Sequence, residues 1–250
     1  MQIIAHRGAS HDAPENTLAA VRLAWAQDAD AVEVDVHLTR DGRLAVIHDP
    51  DTQRTAGVAG TVAAATLAGL QALDVGRWKA ARFSGERIPA LEEIFALVPD
   101  GKRVFVEIKG GPEVVRELQR CVDVALHEPR GPLRPEQIAI STFDLPAAET
   151  AKRALPRHEV CWIADSGRAA PRPTLAAVVQ AARAAGLDGV DLDAGWILNA
   201  EVVQQIQRDG FKVYVWTVDD ANLARRLTAA GVDGITTNRP GWLRAQIAPT

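Results

Sequence analysis

Eight short runs of β-branched and apolar residues recur along this chain, at about 2–6, 31–37, 104–109, 138–142, 159–163, 188–193, 211–217 and 234–237. Each has the length of a strand, and the stretches between many of them carry apolar residues at three- and four-residue spacing. Glu15–Gln27, Glu113–Glu128, Thr174–Ala185, Ala200–Asp209 and Asp219–Ala230 read as helices, with Gly186, Gly210 and Gly231 where C-caps belong. Strands separated by helices must pair in parallel, because the crossover is long enough to bring the chain back to the same end. Eight such units in 250 residues match the size of a closed (β/α)8 TIM barrel. The rival is an open doubly wound sheet. It is disfavoured because no Gly-x-Gly-x-x-Gly follows the first strand, and charged residues end several strands instead of gathering at one crossover.

One interval breaks the alternation. More than sixty residues separate the second run from the third, so a small inserted subdomain is expected between strands 2 and 3. It opens on Thr39-Arg40-Asp41-Gly42, whose Asp-Gly is a hairpin signal, and Leu44–His48 should return antiparallel at the barrel rim. Residues 50–90 then read as an irregular cap over the C-terminal mouth, with a helical stretch near Val62–Leu73. The organisation expected is one barrel domain over residues 1–250, with 38–90 as the insertion.

Composition narrows the partners. A net charge of -4, a pI near 5.9 and 12 aromatics offer neither a basic surface for a nucleic-acid backbone nor many stacking platforms. Nucleic acid is therefore not an expected partner. No run is long and apolar enough for stable membrane insertion, the start Met-Gln-Ile-Ile-Ala-His is a strand pattern rather than a signal peptide, and a cytoplasmic location is expected. Cys121 and Cys161 lie far apart inside apolar segments, which suits buried reduced thiols.

The chemistry stands at the strand ends: His6-Arg7-Gly8, Glu33-Val34-Asp35, His48-Asp49 and Glu107-Ile108-Lys109. Side chains alternate along a strand, so Glu33 and Asp35 share one face and Val32, Val34 and Val36 the other; Glu107 and Lys109 are inward by the same rule. Three carboxylates on adjacent strands either take up protons or bind a cation, and three hard oxygen ligands fit one divalent ion, Mg²⁺ or Ca²⁺, better than Zn²⁺. His6 and His48 flank the acids. Cleaving a phosphodiester needs a base for the nucleophile and an acid for the departing alkoxide, and imidazole serves either purpose near neutrality. Which histidine is the acid stays open at this point. Arg7 can grip non-bridging phosphoryl oxygens in bidentate fashion and Lys109 adds point charge.

Other polar residues read more plainly. Pro14 and Glu15 look like an ordinary helix start, Asn16 could orient a site residue from the same position, and His127 and His158 read as helical or loop surface. His37 is ambiguous, since it shares the face of Glu33 and Asp35 one pair higher. Asn16, Phe143 and Trp216 are candidates for a substrate pocket, core packing being the competing reading for the aromatics. Asp191 and Asp193 end a strand and read equally as loop caps, so they stay outside the catalytic set.

In this order and spacing the motifs resemble the glycerophosphodiester phosphodiesterase family over nearly the whole chain. The residues that carry the resemblance also include Pro14-Glu15-Asn16-Thr17, Ile88-Pro89-Ala90-Leu91-Glu92-Glu93, Ser141-Thr142-Phe143-Asp144, Trp216-Thr217-Val218 and Thr237-Asn238-Arg239-Pro240. The resemblance implies a TIM barrel with a small insertion and metal-dependent hydrolysis of a small-molecule glycerophosphodiester to glycerol 3-phosphate and an alcohol, within glycerol and lipid metabolism. It carries the family's acid and base onto His6 and His48, its metal carboxylates onto Glu33, Asp35 and Glu107, and its phosphate contacts onto Arg7 and Lys109. Two alternatives keep the same site: a phospholipase-type phosphodiesterase acting on lysophospholipid or phosphoinositide, and a non-catalytic phosphodiester-binding protein. The alcohol released, the native metal, attack by water or through a cyclic phosphate, and homo-oligomer formation are all left open by the sequence.

Overall fold

Alternation along the strands sets the architecture. The computed structural model describes residues 1–128, 131–167 and 173–247. Among these, nine strands form one sheet: β1 (Gln2–His6), β2 (Ala31–Leu38), β3 (Leu44–Val46), β4 (Arg103–Ile108), β5 (Ile138–Thr142), β6 (Glu159–Ala164), β7 (Gly189–Asp193), β8 (Lys212–Trp216) and β9 (Gly234–Thr237). All except β3 pair in parallel with their neighbours, and β1 bonds both β2 and β9, so eight strands close into a (β/α)8 TIM barrel. Strand β3 runs antiparallel on β2, with Val46 opposite Val36, as the Asp-Gly turn required.

Two apolar layers follow from the two strand faces. Val32, Val34 and Val36 of β2 and Val104, Val106 and Ile108 of β4 join Val21, Leu118 and Ala148 from surrounding helices in the outer core. Each of these valine, leucine and isoleucine side chains contributes about 1.5–3 kcal/mol by leaving water. Ala31, Phe105, Ala139, Cys161, Tyr214 and Ile4 face inward and fill the barrel axis. Both cysteines are buried and free of disulfides. No helix among the described residues is long and apolar enough to cross a membrane.

The N-terminal end of the barrel is closed by charge. Arg103 donates to Glu159 Oε2 at 3.0 Å and to Gln2 Oε1 and Tyr214 Oη at 3.2 and 3.3 Å, while Tyr214 Oη donates to Glu159 Oε1 at 2.6 Å. Removing one partner of such a shielded pair strands the other charge. Arg103→Ala is expected to cost about 2–4 kcal/mol in urea unfolding. A change within about 0.5 kcal/mol would mean that the apolar layer above closes this end unaided.

The expected helices form with shifted ends. The first is Leu18–Ala26 rather than a helix starting at Glu15, because the Thr17 hydroxyl accepts from Ala20 N and the chain turns at Asn16, whose φ is 56°. The single stretch expected near 62–73 is split into a 3-10 turn, Val62–Ala64, and the helix Leu67–Gln71, where Thr66 Oγ1 accepts from Gly69 N. Together with Ile47, Val75 and Ile88, residues of this segment pack into a small core of their own. Among the described residues of the 38–90 segment, His48 and Pro50 line the cavity at the C-terminal mouth. Lys79 Nζ ties the segment to Ser10 O at 2.7 Å.

Candidate active site

Register brings the strand-end residues together. His6 lies opposite Glu33 in the β1–β2 pair, and Asp35 opposite Glu107 in the β2–β4 pair. Glu33, Asp35 and Glu107 are all buried, and one carboxylate oxygen from each falls within 4.8 Å of the others. Burial and the neighbouring Asp35 and Glu107 charges push the Glu33 carboxyl well above its ordinary range, and burial with Asp35 pushes Glu107 up to about 7. For Asp35 burial acts in the same direction, but Lys109 and Arg7 outweigh it and hold the carboxyl low. Lys109 Nζ stands 3.0 Å from Asp35 Oδ1 and also pairs with Glu107; Arg7 Nε stands 3.3 Å from Asp35 Oδ2.

Glu33 gives the clearest sign of what this cluster could hold. Its Oε2 accepts from Arg7 N at 2.8 Å, while its buried Oε1 has no hydrogen-bond partner among the described residues. Three hard oxygens with an orphaned lone pair make a candidate acidic site for one divalent ion. Glu92, Glu117 and Cys121 form a second such group, but Arg43 and Arg120 already neutralise its carboxylates.

Each flanking imidazole is fixed through Nδ1. Asn238 Nδ2 donates to Asp219 Oδ2 at 2.6 Å, so its Oδ1 faces His6 and accepts from Nδ1–H at 2.7 Å. His6 is therefore left with a free Nε2 lone pair. Burial, then the Arg7 charge, lowers its pKa to about 4, and the ring is neutral near pH 7. His48 Nδ1 lies 2.7 Å from Asp49 Oδ1, a carboxylate held at about 2 chiefly by Arg54. An ionised carboxylate only accepts, so His48 also carries its proton on Nδ1 and keeps Nε2 free. Burial lowers the His48 pKa, partly opposed by Asp35.

Arg54, unremarked in the sequence, joins the loops that follow β1 and β3. Its Nε meets Asp49 Oδ2 at 2.6 Å and its Nη1 and Nη2 grip both Glu15 oxygens at 2.8 Å, while Glu15 Oε1 also pairs with Arg7 at 2.9 Å. Glu15 is thus a strut between cations, not a helix-start acid, because the turn at Asn16 places it before the helix. Asn16 does orient a site residue: its Nδ2 donates to Asp35 Oδ2 at 2.7 Å and its Oδ1 accepts from Asp35 N at 3.2 Å. It does so from behind the cluster, buried, and outside the cavity lining in which it was expected.

The cavity at this end measures about 1070 Å³. His6, Arg7, Glu33, His48, Glu107 and Lys109 line one half; Ser141, Phe143, Asp191, Trp216 and Thr236 line the other. Phe143 and Trp216 meet edge to face at 5.4 Å and form its aromatic wall, so they are not core packing. His37 also lines the mouth, where its Nε2 bonds His48 O at 2.9 Å. His158, expected at the surface, is buried against Ile138 O because its loop folds under the β5 end, whereas His127 is exposed. Asp193 caps a loop by accepting from Ser166 N and Gly195 N. Asp191, two residues earlier, faces into the cavity, and the alternation along β7 was the signal for it.

Residues 6–242 match the model of the glycerophosphoryl diester phosphodiesterase family. The chain belongs to this family. A glycerophosphodiester phosphodiesterase of Caldanaerobacter subterraneus subsp. tengcongensis is 34% identical over 247 residues, covering 96% of this chain and 95% of the relative. A solved phosphodiesterase of Oleispira antarctica, in complex with the product sn-glycerol-3-phosphate, superposes with a TM-score of 0.87 at 27% identity, covering 100% of this chain and 97% of that one. A glycerophosphodiester phosphodiesterase from Agrobacterium tumefaciens gives 0.76 at 25% identity, with 98% and 99% covered. The protein is accordingly a phosphoric diester hydrolase, and the cavity sits where barrels of this kind place chemistry, at the C-terminal strand ends.

Proposed function

We propose that this phosphodiesterase hydrolyses glycerophosphodiesters to glycerol 3-phosphate and an alcohol, with a divalent ion held by Glu33, Asp35 and Glu107 and with His6 and His48 as its acid–base pair. The observation that carries the reading is the pair of imidazoles, each anchored through Nδ1 and each bordering one cavity with Glu33 and Glu107 of the acidic trio. When bound, Mg²⁺ or Ca²⁺ would polarise the phosphoryl oxygens and help lower the pKa of the nucleophile.

The anchoring partners divide the work between the histidines. His6 leans on a neutral amide oxygen beside Arg7, an arrangement that favours the neutral ring, so its Nε2 takes the proton of the attacking water or hydroxyl. His48 leans on the Asp49 carboxylate, which opposes the lowering by burial, so the ring that is protonated on Nε2 as well as Nδ1 gives its Nε2 proton to the departing alkoxide. Arg7 and Lys109 hold the non-bridging oxygens, and Phe143 and Trp216 cover the carbons of the substrate. The same reading makes this a cytoplasmic enzyme of glycerol and lipid metabolism, where reduced thiols such as Cys121 and Cys161 persist.

Incubation of the purified protein with glycerophosphocholine and Mg²⁺ or Ca²⁺ is expected to release glycerol 3-phosphate, read by a coupled dehydrogenase assay. Saturable binding without product would replace this reading by that of a binding protein. Preference for micellar lysophosphatidylcholine over the soluble diester would replace it by that of a phospholipase.

A further inference from the structure

Asp191 is the buried acid of the cavity that the acid–base scheme leaves unused. It faces inward on β7, in register with Ile163 on one side and Tyr214 on the other, and is 9% exposed. Its Oδ1 is buried and has no hydrogen-bond partner among the described residues, although it borders the cavity. Buried carboxyl oxygens are seldom left unmatched in a folded protein unless a ligand or water completes them. Asp191 does not belong to the trio whose oxygens converge within 4.8 Å, so it is not one of the grouped cation ligands.

Position decides what could complete it. The cations Arg7 and Lys109 lie with the acidic trio on the β1–β4 side, whereas Asp191 shares the other half with Ser141, Thr236 and the aromatic wall. The Trp216 indole is fixed above it, with Nε1 donating to the carbonyl oxygen of Asp191 itself at 3.3 Å. A substrate hydroxyl would meet here the acceptor it needs. In either protonation state Oδ1 accepts an O–H.

We propose that Asp191 is the specificity residue for the glycerol unit: its Oδ1 receives a substrate hydroxyl, so diesters bearing that hydroxyl are preferred over those without it. This rests on the glycerophosphodiesterase reading given above. Sites built around a buried acceptor discriminate strongly against analogues that leave it unmatched.

The test compares glycerophosphocholine with bis(4-nitrophenyl) phosphate, a diester without hydroxyls, in the full chain with metal. Asp191→Ala is expected to lower kcat/KM about 10- to 100-fold on the first and to change it less than about twofold on the second. The near-isosteric Asp191→Asn, which keeps a carbonyl oxygen, should recover most of the loss. Equal losses on both diesters, or none on either, would overturn the assignment. Should the alanine variant not fold, the wild type decides through inhibition. Glycerol 3-phosphate must then bind at least about tenfold more tightly than propyl phosphate, and equal inhibition would end the proposal. A wild type that cleaves the nitrophenyl diester but not glycerophosphocholine would instead defeat the substrate reading itself.

Discussion

His6→Ala and His48→Ala are each expected to lower kcat about 10²- to 10⁴-fold while leaving the fold intact. The lower structural cost follows from where the rings sit. His6 is tied to one side-chain oxygen at the end of β1, and His48 lies on the rim after β3, held by Asp49. Neither belongs to the apolar layers that hold the barrel. Thermal melts within a few degrees of wild type, together with stopped activity, would support the assignment. The leaving group separates the two roles further. A diester with a nitrophenolate leaving group hardly needs an acid, so His48→Ala should lose much less on that substrate than on glycerophosphocholine, while His6→Ala should lose similarly on both. Wild-type turnover in either variant would remove that residue from the scheme.

Chelation of divalent metal is expected to reduce activity by about 10³-fold or more, with recovery on adding Mg²⁺ or Ca²⁺, because several kcal/mol of phosphoryl charge stabilisation is lost with the ion. A readout independent of turnover is available. Without a cation, Glu33 and Glu107 are buried beside Asp35 with carboxyls pushed upward by burial and by the Asp35 charge. A ligand that binds only the folded form adds about 2.7 kcal/mol at a hundredfold excess over its Kd, so metal should raise the unfolding midpoint of the wild type. Asp35→Asn should abolish most of that rise, since it removes the carboxylate charge that Lys109 and Arg7 hold in place. An unchanged midpoint in the wild type, with full activity in chelator, would rule out the acidic trio as a cation site.

Much of this site was legible in the sequence because strand alternation is local. Glu33 and Asp35 had to share a face whatever the rest of the chain did, and the valines between them had to share the other. The same rule would have turned Asp191 inward, but one carboxylate on one strand gave no sign of its missing partner. That fact depends on Ile163, Tyr214 and Trp216 from neighbouring strands, which surround it without offering a donor to Oδ1. Arg54 was hidden for a related reason. Its importance lies in bridging Asp49, five residues away, to Glu15, 39 residues away, and no periodicity encodes that meeting. Glu15 and Asn16 were displaced from the helix by a single positive φ, a backbone turn that the Pro-Glu-Asn-Thr motif does not distinguish from an ordinary N-terminus.

The sequence by itself determined the eightfold alternation, the closed parallel barrel and the identity of the acids, imidazoles and cations at its mouth. These follow from side-chain period and strand spacing, which act over a few residues. Only the tertiary structure decided which nitrogen of each histidine is free, which carboxylate oxygens are orphaned and which arginine links the two loops. Those depend on hydrogen bonds between residues as far apart as His6 and Asn238, and the chain must close on itself before such partners meet.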